Sequence, residues 1–189
     1  TTEIYTLSLH DALPICISVS MRFNRCSAPT VTPMLRIEIP GTAPLQLEHL
    51  ICDYNGTLAC DGQLLAGVAE RFAALSGLLQ LHVLTADTHG TVAAQIAGLP
   101  CQLAVIPPTD QQAAKQRYLH QLGADRCAAL GNGRNDSLLL RDAALGIALL
   151  QQEGLAGIAL QAADLLCTSC LDALDLLLQP ARLQASLRC

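Results

Sequence analysis

The sequence predicts an α/β fold, a mostly parallel sheet held between two layers of helix. Apolar, strand-like runs alternate with helix-patterned segments from Leu47 onward, the βαβ order of a parallel sheet with right-handed crossovers. Hydrophobic residues form 51% of the chain and aromatic residues only 3%, with no Trp. The core must therefore be built from Leu, Ala, Val and Ile, which suits closely stacked layers. A chain of 189 residues fills one compact domain and not two of ordinary size.

The elements follow in order. Leu35-Arg36-Ile37-Glu38-Ile39 alternates as a strand and meets a Pro40-Gly41 turn. Leu47 to Tyr54 is an apolar strand-like run carrying Asp53 at its end. Ala59–Leu65, with an Asp61-Gly62 turn, reads as a small hairpin. Gly67–Leu78 is helical in pattern, and Leu79–Leu84 is a second strand running into Thr85-Ala86-Asp87. A helix is expected from about His89 to Ala97, then a strand over Gln102–Ile106 and a break at Pro107-Pro108. Asp110 is a candidate cap for a helix reaching Leu122 before Gly123. Strand Cys127–Leu130 delivers the turn Gly131–Asp136, and Ser137–Ala143 returns as a helix. Short strands near Gly146–Leu149 and Asp164–Cys167 precede a helix over Leu171–Leu178, which Pro180 is expected to stop.

The N-terminus differs in style. Ser8-Leu9-His10-Asp11-Ala12-Leu13-Pro14-Ile15 resembles one translated frame of a common short-read sequencing adapter. Nothing basic precedes the short apolar stretch from Ala12 to Val19, and Glu3 and Asp11 are acidic, so a secretory signal is not expected. Residues 1–33 are expected to be a non-native, disordered leader, with a genuine leader as the alternative. Residues 34–189 are expected to form the domain, starting at Met34.

Charge and cysteine usage narrow the function classes. The net charge is −5 and no Lys/Arg cluster exists, which argues against nucleic acid as a partner. No apolar stretch reaches the ~20 residues of a membrane span, so a soluble chain is expected. Nine Cys are scattered and odd in number, as fits reduced thiols in a cytoplasmic protein. Cys167-Thr168-Ser169-Cys170 has no second Cys/His pair at zinc-site spacing and reads as a strand end rather than a metal site.

In open α/β sheets, ligands bind beyond the carboxyl ends of the strands. Three such ends here carry polar sets: Asp53/Asn55, Thr85/Asp87 and Asn132/Asn135/Asp136. Asp53 is a carboxylate followed at Gly56 by a residue that lets backbone approach a ligand. A carboxylate can attack phosphorus and split one hard transfer into two easier steps. The alternative is a strand-ending turn. Thr85 supplies a hydroxyl, and Asp136 follows a Gly-rich turn where it can serve an oxygen-ligand magnesium (Mg²⁺) site. Lys115 is the only Lys among eleven basic residues. A compact ammonium near phosphate and nucleophile is chemistry that a forked guanidinium serves less well; a solvated helix face is the alternative.

Together these residues resemble the haloacid dehalogenase-like (HAD) superfamily of phosphotransferases, over about Leu47 to Leu178. The first motif, Asp-x-Asp-Gly-Thr, stands as Asp53-Tyr54-Asn55-Gly56-Thr57. The second falls on Thr85 and the third on Lys115. The fourth, Gly-Asp-Gly-x-Asn-Asp, stands as Gly131-Asn132-Gly133-Arg134-Asn135-Asp136. The fourth motif and Thr85-Ala86-Asp87 most resemble the phosphorylation domain of P-type ATPases and the small soluble proteins related to it. The resemblance implies a Rossmann-like three-layer αβα fold and a nucleophilic Asp53. It places Mg²⁺ on Asp53, Asn55, Asp136 and Asn132, and catalytic roles on Asp53, Asn55, Thr85 and Lys115. Gly56, Thr57, Ala86, Asp87 and Asn135 would line the substrate site.

Two departures bear on activity. Asn55 stands where phosphatases of the superfamily carry an Asp that protonates the leaving group and activates water, and an amide does neither. Asn132 replaces an acidic residue of the metal loop. Weak Mg²⁺ affinity and slow dephosphorylation are expected.

Cap modules of the superfamily enter between its motifs. Here thirty-two residues separate Asp53 from Thr85 and thirty separate Thr85 from Lys115, and secondary structure already uses both gaps. A capless, open site is expected. Its partner would be a phosphorylated small molecule or a phosphoprotein, and neighbours in a homo-oligomer are a candidate closure. The apolar helix Leu171–Leu178 is one candidate contact, with packing on the sheet favoured. His89 reads as a helix-start surface residue or a substrate contact. Gly131-Asn132-Gly133 lacks the third Gly of a dinucleotide fingerprint. Three functions stay open: a Mg²⁺-dependent phosphohydrolase acting through Asp53, a non-catalytic phospho-ligand or regulatory module, and, fitting less well, a receiver-like signalling domain.

Overall fold

The computed structural model describes residues 33–87 and 90–188. The leader expected over 1–33 lies outside the described residues except for Pro33, and so does His89.

Strands β1 (Leu35–Ile37) and β2 (Leu45–Leu47) pair antiparallel around the Pro40-Gly41 turn, with Leu35 opposite Leu47 and Ile37 opposite Leu45. The run expected as one strand from Leu47 to Tyr54 is thereby divided, and β3 covers His49–Asp53. The break at Glu48 has a hydrogen-bonding cause. Its backbone N–H donates to the Arg126 carbonyl and its carbonyl accepts from Gln80 N–H, so pairing changes partner at that residue. Strands β4 (Ala59–Cys60) and β5 (Gln63–Leu64) form the expected hairpin. Asp61 and Gly62 both take positive φ there, 50° and 74°, the geometry whose twist matches a two-residue hairpin.

Helix α1 (Val68–Leu75) buries Val68, Phe72 and Leu75 on one stripe. Strand β6 (Gln80–Thr85) follows, then α2 (Val92–Gln95). The expected helix to Ala97 is cut to a single turn, because the chain reverses at Gly98 with φ 84°. Strand β7 (Gln102–Val105) precedes α3 (Gln111–Leu122). Asp110 stands at the start of α3 in the left-handed region, φ 56°, and its side chain does not cap the helix. It faces Arg117 at 3.5 Å instead.

Strand β8 (Cys127–Gly131) runs into a short 3-10 turn at Arg134–Asp136, which leads to α4 (Ser137–Asp142). Strand β9 (Leu145–Leu149), the unanticipated α5 (Gly157–Ala162), β10 (Leu165–Cys167) and α6 (Cys170–Leu178) follow. Pro180 does end α6, but it also opens a further helix, α7 (Pro180–Leu187). Proline lacks only a donor that the first turn of a helix leaves unpaired anyway.

Six strands form one parallel sheet in the order β10-β9-β8-β3-β6-β7. Strand β3 is central and wholly buried. Alternation along it divides the core in two. Leu50 and Cys52 face a cluster with Phe72 of α1 and Leu174 and Leu177 of α6. Ile51 faces the other, with Leu119 of α3, Leu139 and Leu140 of α4, and Ala159 of α5. This is the three-layer αβα arrangement expected. Helix α6 buries Cys170, Ala173, Leu174 and Leu177, so its apolar face is core. The segment between β3 and β6 holds only the hairpin and α1, and that between Thr85 and Lys115 only α2, β7 and the start of α3. Among the described residues no helix is long and apolar enough to cross a membrane.

Candidate active site

Three neighbouring strands of the sheet, β8, β3 and β6, deliver their carboxyl ends to one place. Asp53 ends β3 and Thr85 ends β6, both buried, and the turn after Gly131 ends β8. Lys115 arrives from α3, on the same face as the core residue Leu119. Its apolar stem lies in the helix–sheet interface and its ammonium reaches the strand ends. Nζ donates to Asp53 Oδ1 at 2.5 Å and to Asp136 Oδ1 at 2.6 Å. Lys115 is 1% exposed and Asp136 fully buried.

A buried ammonium is tolerable only when its charge is paired. Burial alone would lower the Lys115 pKa, but the two carboxylates outweigh it and hold the group above its ordinary value. Asp53 moves the other way. Burial raises its pKa and the charge of Asp136 adds to this; Lys115 opposes them, and the result stands at about 7. One ammonium does not fully compensate two carboxylates in a low-dielectric site. The Asp53 carboxylate is left with an affinity for further positive charge.

Asp136 is anchored on its other oxygen. Oδ2 accepts from the backbone N–H of Asn132 at 3.0 Å and of Gly133 at 2.8 Å. Gly131 makes this possible, since a Cβ there would stand 2.6 Å from the Asp136 side chain. Asp136 thus serves as the partner of Lys115 and as the organiser of the turn, and its side chain does not line the cleft above Asp53. Asn132 does line that cleft. Its Nδ2 donates to Gly154 O at 3.0 Å, and its Oδ1 accepts from Thr57 Oγ1 at 3.3 Å.

The loop after Asp53 is rigidly built. Tyr54 O accepts from Thr57, Leu58 and Ala59 N–H, and the buried Tyr54 ring sends its hydroxyl to Gly62 O at 3.1 Å. Gly56, at φ 72°, passes so close to Asn132 that a Cβ would meet Nδ2 at 2.3 Å. Asn55 is exposed and lines the cleft. Gln151, which the sequence did not single out, clamps this loop. Its Nε2 donates to Gly56 O and Thr57 O, and its Oε1 accepts from Cys170 N–H at the start of α6. Contacts across some ninety-five residues leave no local pattern from which Gln151 could have been found.

Thr85 Oγ1 accepts from Asp87 N–H at 3.1 Å, which leaves its own proton to donate. Asp87 turns its Oδ1 to the backbone N–H of Thr91 at 3.0 Å and Val92 at 3.4 Å. That carboxylate oxygen holds the entry to α2. Asn135 Nδ2 donates to Gln111 Oε1 at 2.8 Å. The cleft over these residues measures about 910 Å³, and Asp53, Asn55, Thr85, Ala86, Asp87, Asn132 and Asn135 all line it. The donors offered to a cation are hard oxygens: the Asp53 carboxylate, the Asn55 carbonyl and the Asn132 amide. This set fits Mg²⁺ in kind, with Asp53 its one carboxylate; Asp61 and Asp87 also line the cleft, on its wall.

The fold matches solved structures. A 3-deoxy-D-manno-octulosonate 8-phosphate phosphatase from Moraxella catarrhalis, in complex with magnesium, phosphate and KDO, aligns with a TM-score of 0.55 at 20% identity, covering 71% of this chain and 87% of that one. A protein described as a HAD superfamily (subfamily III A) hydrolase, from Legionella pneumophila, aligns at 0.58 and 20%, covering 75% and 87%. The chain has the HAD fold. A zinc-transporting PIB-type ATPase is 28% identical at a TM-score of 0.50, over 65% of this chain but only 20% of the ATPase. No protein-family sequence model matches the chain, and neither does the sequence of any curated protein. The first two likenesses concern fold, and the HAD fold places its strand ends where Asp53, Thr85 and the Gly131–Asp136 turn converge.

Proposed function

We propose that the chain is a phosphohydrolase of HAD type that acts on phosphate esters through an aspartyl-phosphate on Asp53. The observation that carries this reading is the buried Lys115 ammonium shared between Asp53 and Asp136 at the floor of an open cleft. A nucleophilic carboxylate with a fixed cation beside it is what transfer of an anionic phosphoryl group requires.

In the first step an Asp53 carboxylate oxygen forms a bond to phosphorus as the ester oxygen leaves. Lys115 balances charge on Asp53 and the phosphoryl oxygens, and the free proton of Thr85 Oγ1 donates to one of them. The leaving oxygen takes its proton from water, because the Asn55 amide has none to give. In the second step water attacks phosphorus, and the Asp53 carboxylate and inorganic phosphate are released with one proton to solvent. Mg²⁺, when bound by Asp53, the Asn55 carbonyl and Asn132, would neutralise charge on the phosphoryl group. Asn55 offers no base for the second step, so the intermediate is long-lived and turnover slow. The same Asn55 favours a second reading, a phospho-ligand module that forms the adduct and stops there.

Turnover of p-nitrophenyl phosphate with Mg²⁺, and trapping by beryllofluoride read by fluorine-19 NMR on the folded protein and its Asp53→Asn variant, test both readings. Slow turnover that Asp53→Asn abolishes, by at least about a thousandfold, supports the phosphohydrolase. Trapping on Asp53 without turnover supports the binding module. Turnover that survives Asp53→Asn overturns the role of Asp53.

A further inference from the structure

The chemistry of the cleft wall bears on the substrate. The inference rests on the phosphohydrolase reading and adds the class of leaving group. Among the described residues, no Lys or Arg side chain lines the cleft. Lys115 lies beneath it, committed to Asp53 and Asp136. The walls instead carry two pairs of carboxamides. Gln95 joins α2 to the hairpin, its Nε2 donating to Gln63 Oε1 and its Oε1 accepting from Leu64 N–H. Asn135 joins the β8 turn to α3 through Gln111, whose own Nε2 donates to Pro108 O.

An amide carries two donor protons and an acceptor oxygen, so these pairings use only part of their capacity. Among the described residues, both protons of Gln63, one each on Gln95, Gln111 and Asn135, and the Asn135 oxygen have no partner. Such a set matches hydroxyl groups, which both donate and accept. Above the Asp53 floor, the acidic residues of the wall are Asp87 and Asp61, the latter exposed at the hairpin tip with its carboxylate beside that of Glu153. They accept from hydroxyls and repel a second anion, and like charges facing across a site are strongly disfavoured. The volume of about 910 Å³ is in the range of small-molecule sites.

We infer that the substrate is a phosphomonoester of an uncharged, hydroxyl-rich small molecule, a sugar or polyol phosphate without a second anionic group. The reaction is hydrolysis of the P–O bond: ester and water give the free alcohol and inorganic phosphate. The Moraxella catarrhalis enzyme named above differs in this respect, since an octulosonate carries a carboxylate.

A matched pair tests the inference. Glucitol 6-phosphate and 6-phosphogluconate are both open chains and differ by a carboxylate in place of the far hydroxymethyl group, and p-nitrophenyl phosphate serves as reference. The assays use the full chain and its Asn55→Asp variant at pH 8 with Mg²⁺, where histidines are neutral. The expected result is a kcat/KM for glucitol 6-phosphate at least about tenfold above that for 6-phosphogluconate. Asp61→Asn, which keeps a residue tolerant of positive φ, should narrow the ratio by raising the 6-phosphogluconate value. Turnover of p-nitrophenyl phosphate with equal or preferred use of 6-phosphogluconate overturns the inference and leaves the phosphohydrolase reading intact. No turnover of any ester by either protein overturns both.

Discussion

At the residue scale, Asn55 is the residue that limits turnover on the proposed phosphohydrolase reading. It lies at the rim of the cleft, exposed, on a loop held by Tyr54 O and by Gln151. On that reading the loop would hold a general acid in place, and Asn55 lacks only the acidic group. General acid–base catalysis contributes about 10²–10⁴-fold in enzymes that use it. Asn55→Asp changes an amide nitrogen to oxygen without altering side-chain shape, so the loop should keep its hydrogen bonds. Steady-state turnover of p-nitrophenyl phosphate should rise by roughly 10–10²-fold in this variant. An unchanged rate would show that a missing acid is not what limits the wild-type chain. Asp53 and Lys115 need no such repair, since the ammonium sits within hydrogen-bond distance of both carboxylates it must serve.

At the element scale, β3 and β6 hold a second polar feature away from the cleft. His49 Nδ1 and His82 Nε2 lie 3.1 Å apart, and His82 Nδ1 meets Tyr118 Oη on α3 at 2.9 Å. Such a chain needs one proton per contact, which neutral rings supply; it is burial that disfavours a charged His82. Burial lowers the His82 pKa to about 4, with the charge of His49 acting the same way, and burial also lowers that of His49. At His82 the unfolded chain, with His near 6.5, therefore binds more protons between pH 6.5 and 4, and the contribution of this residue to stability falls as pH falls through that window. Asp53, held at about 7, works in the opposite sense over the same range, so the His82 contribution is read as a difference: the change in urea-unfolding stability between pH 7 and pH 5 should be less favourable by roughly 2 kcal/mol in the wild type than in His82→Leu. The strands themselves were legible because β3, β6 and β8 are buried apolar runs that end in polar sets. Helix α5 was not, since it buries only Ala159 and presents no stripe. Pro180 was read as a stop because the sequence does not distinguish an end from the first turn of the next helix. The break at Glu48 depends on partners at Arg126 and Gln80, which no local window contains.

At the scale of the whole molecule, the groups offered to a cation come together only on folding. Asp53 and Asn55 follow the central strand, while Asn132 arrives after β8, almost eighty residues later. The motif order was readable in the sequence, but the division of labour between Asn132 and Asp136 was not. That division follows from burial: Asp136 spends its oxygens on Lys115 and two backbone N–H groups, and Asn132 faces the cleft. Mg²⁺ that binds the folded state alone stabilises it by RT ln(1 + [Mg²⁺]/Kd). With one carboxylate in that donor set, a Kd on the order of millimolar gives about 1.4 kcal/mol at 10 mM, a rise in Tm of roughly 3–5 °C for a domain of this size. Asn132→Asp adds a second carboxylate to the set and, by the same relation, about another 1.4 kcal/mol for each tenfold gain in affinity. Thermal unfolding with and without Mg²⁺ reads this without any substrate. A larger Mg²⁺ shift in Asn132→Asp than in the wild type is expected, with a lower Tm for the variant in EDTA because the new charge then lacks a cation. An equal shift in both proteins would place the cation away from Asn132 and return the metal role to Asp136.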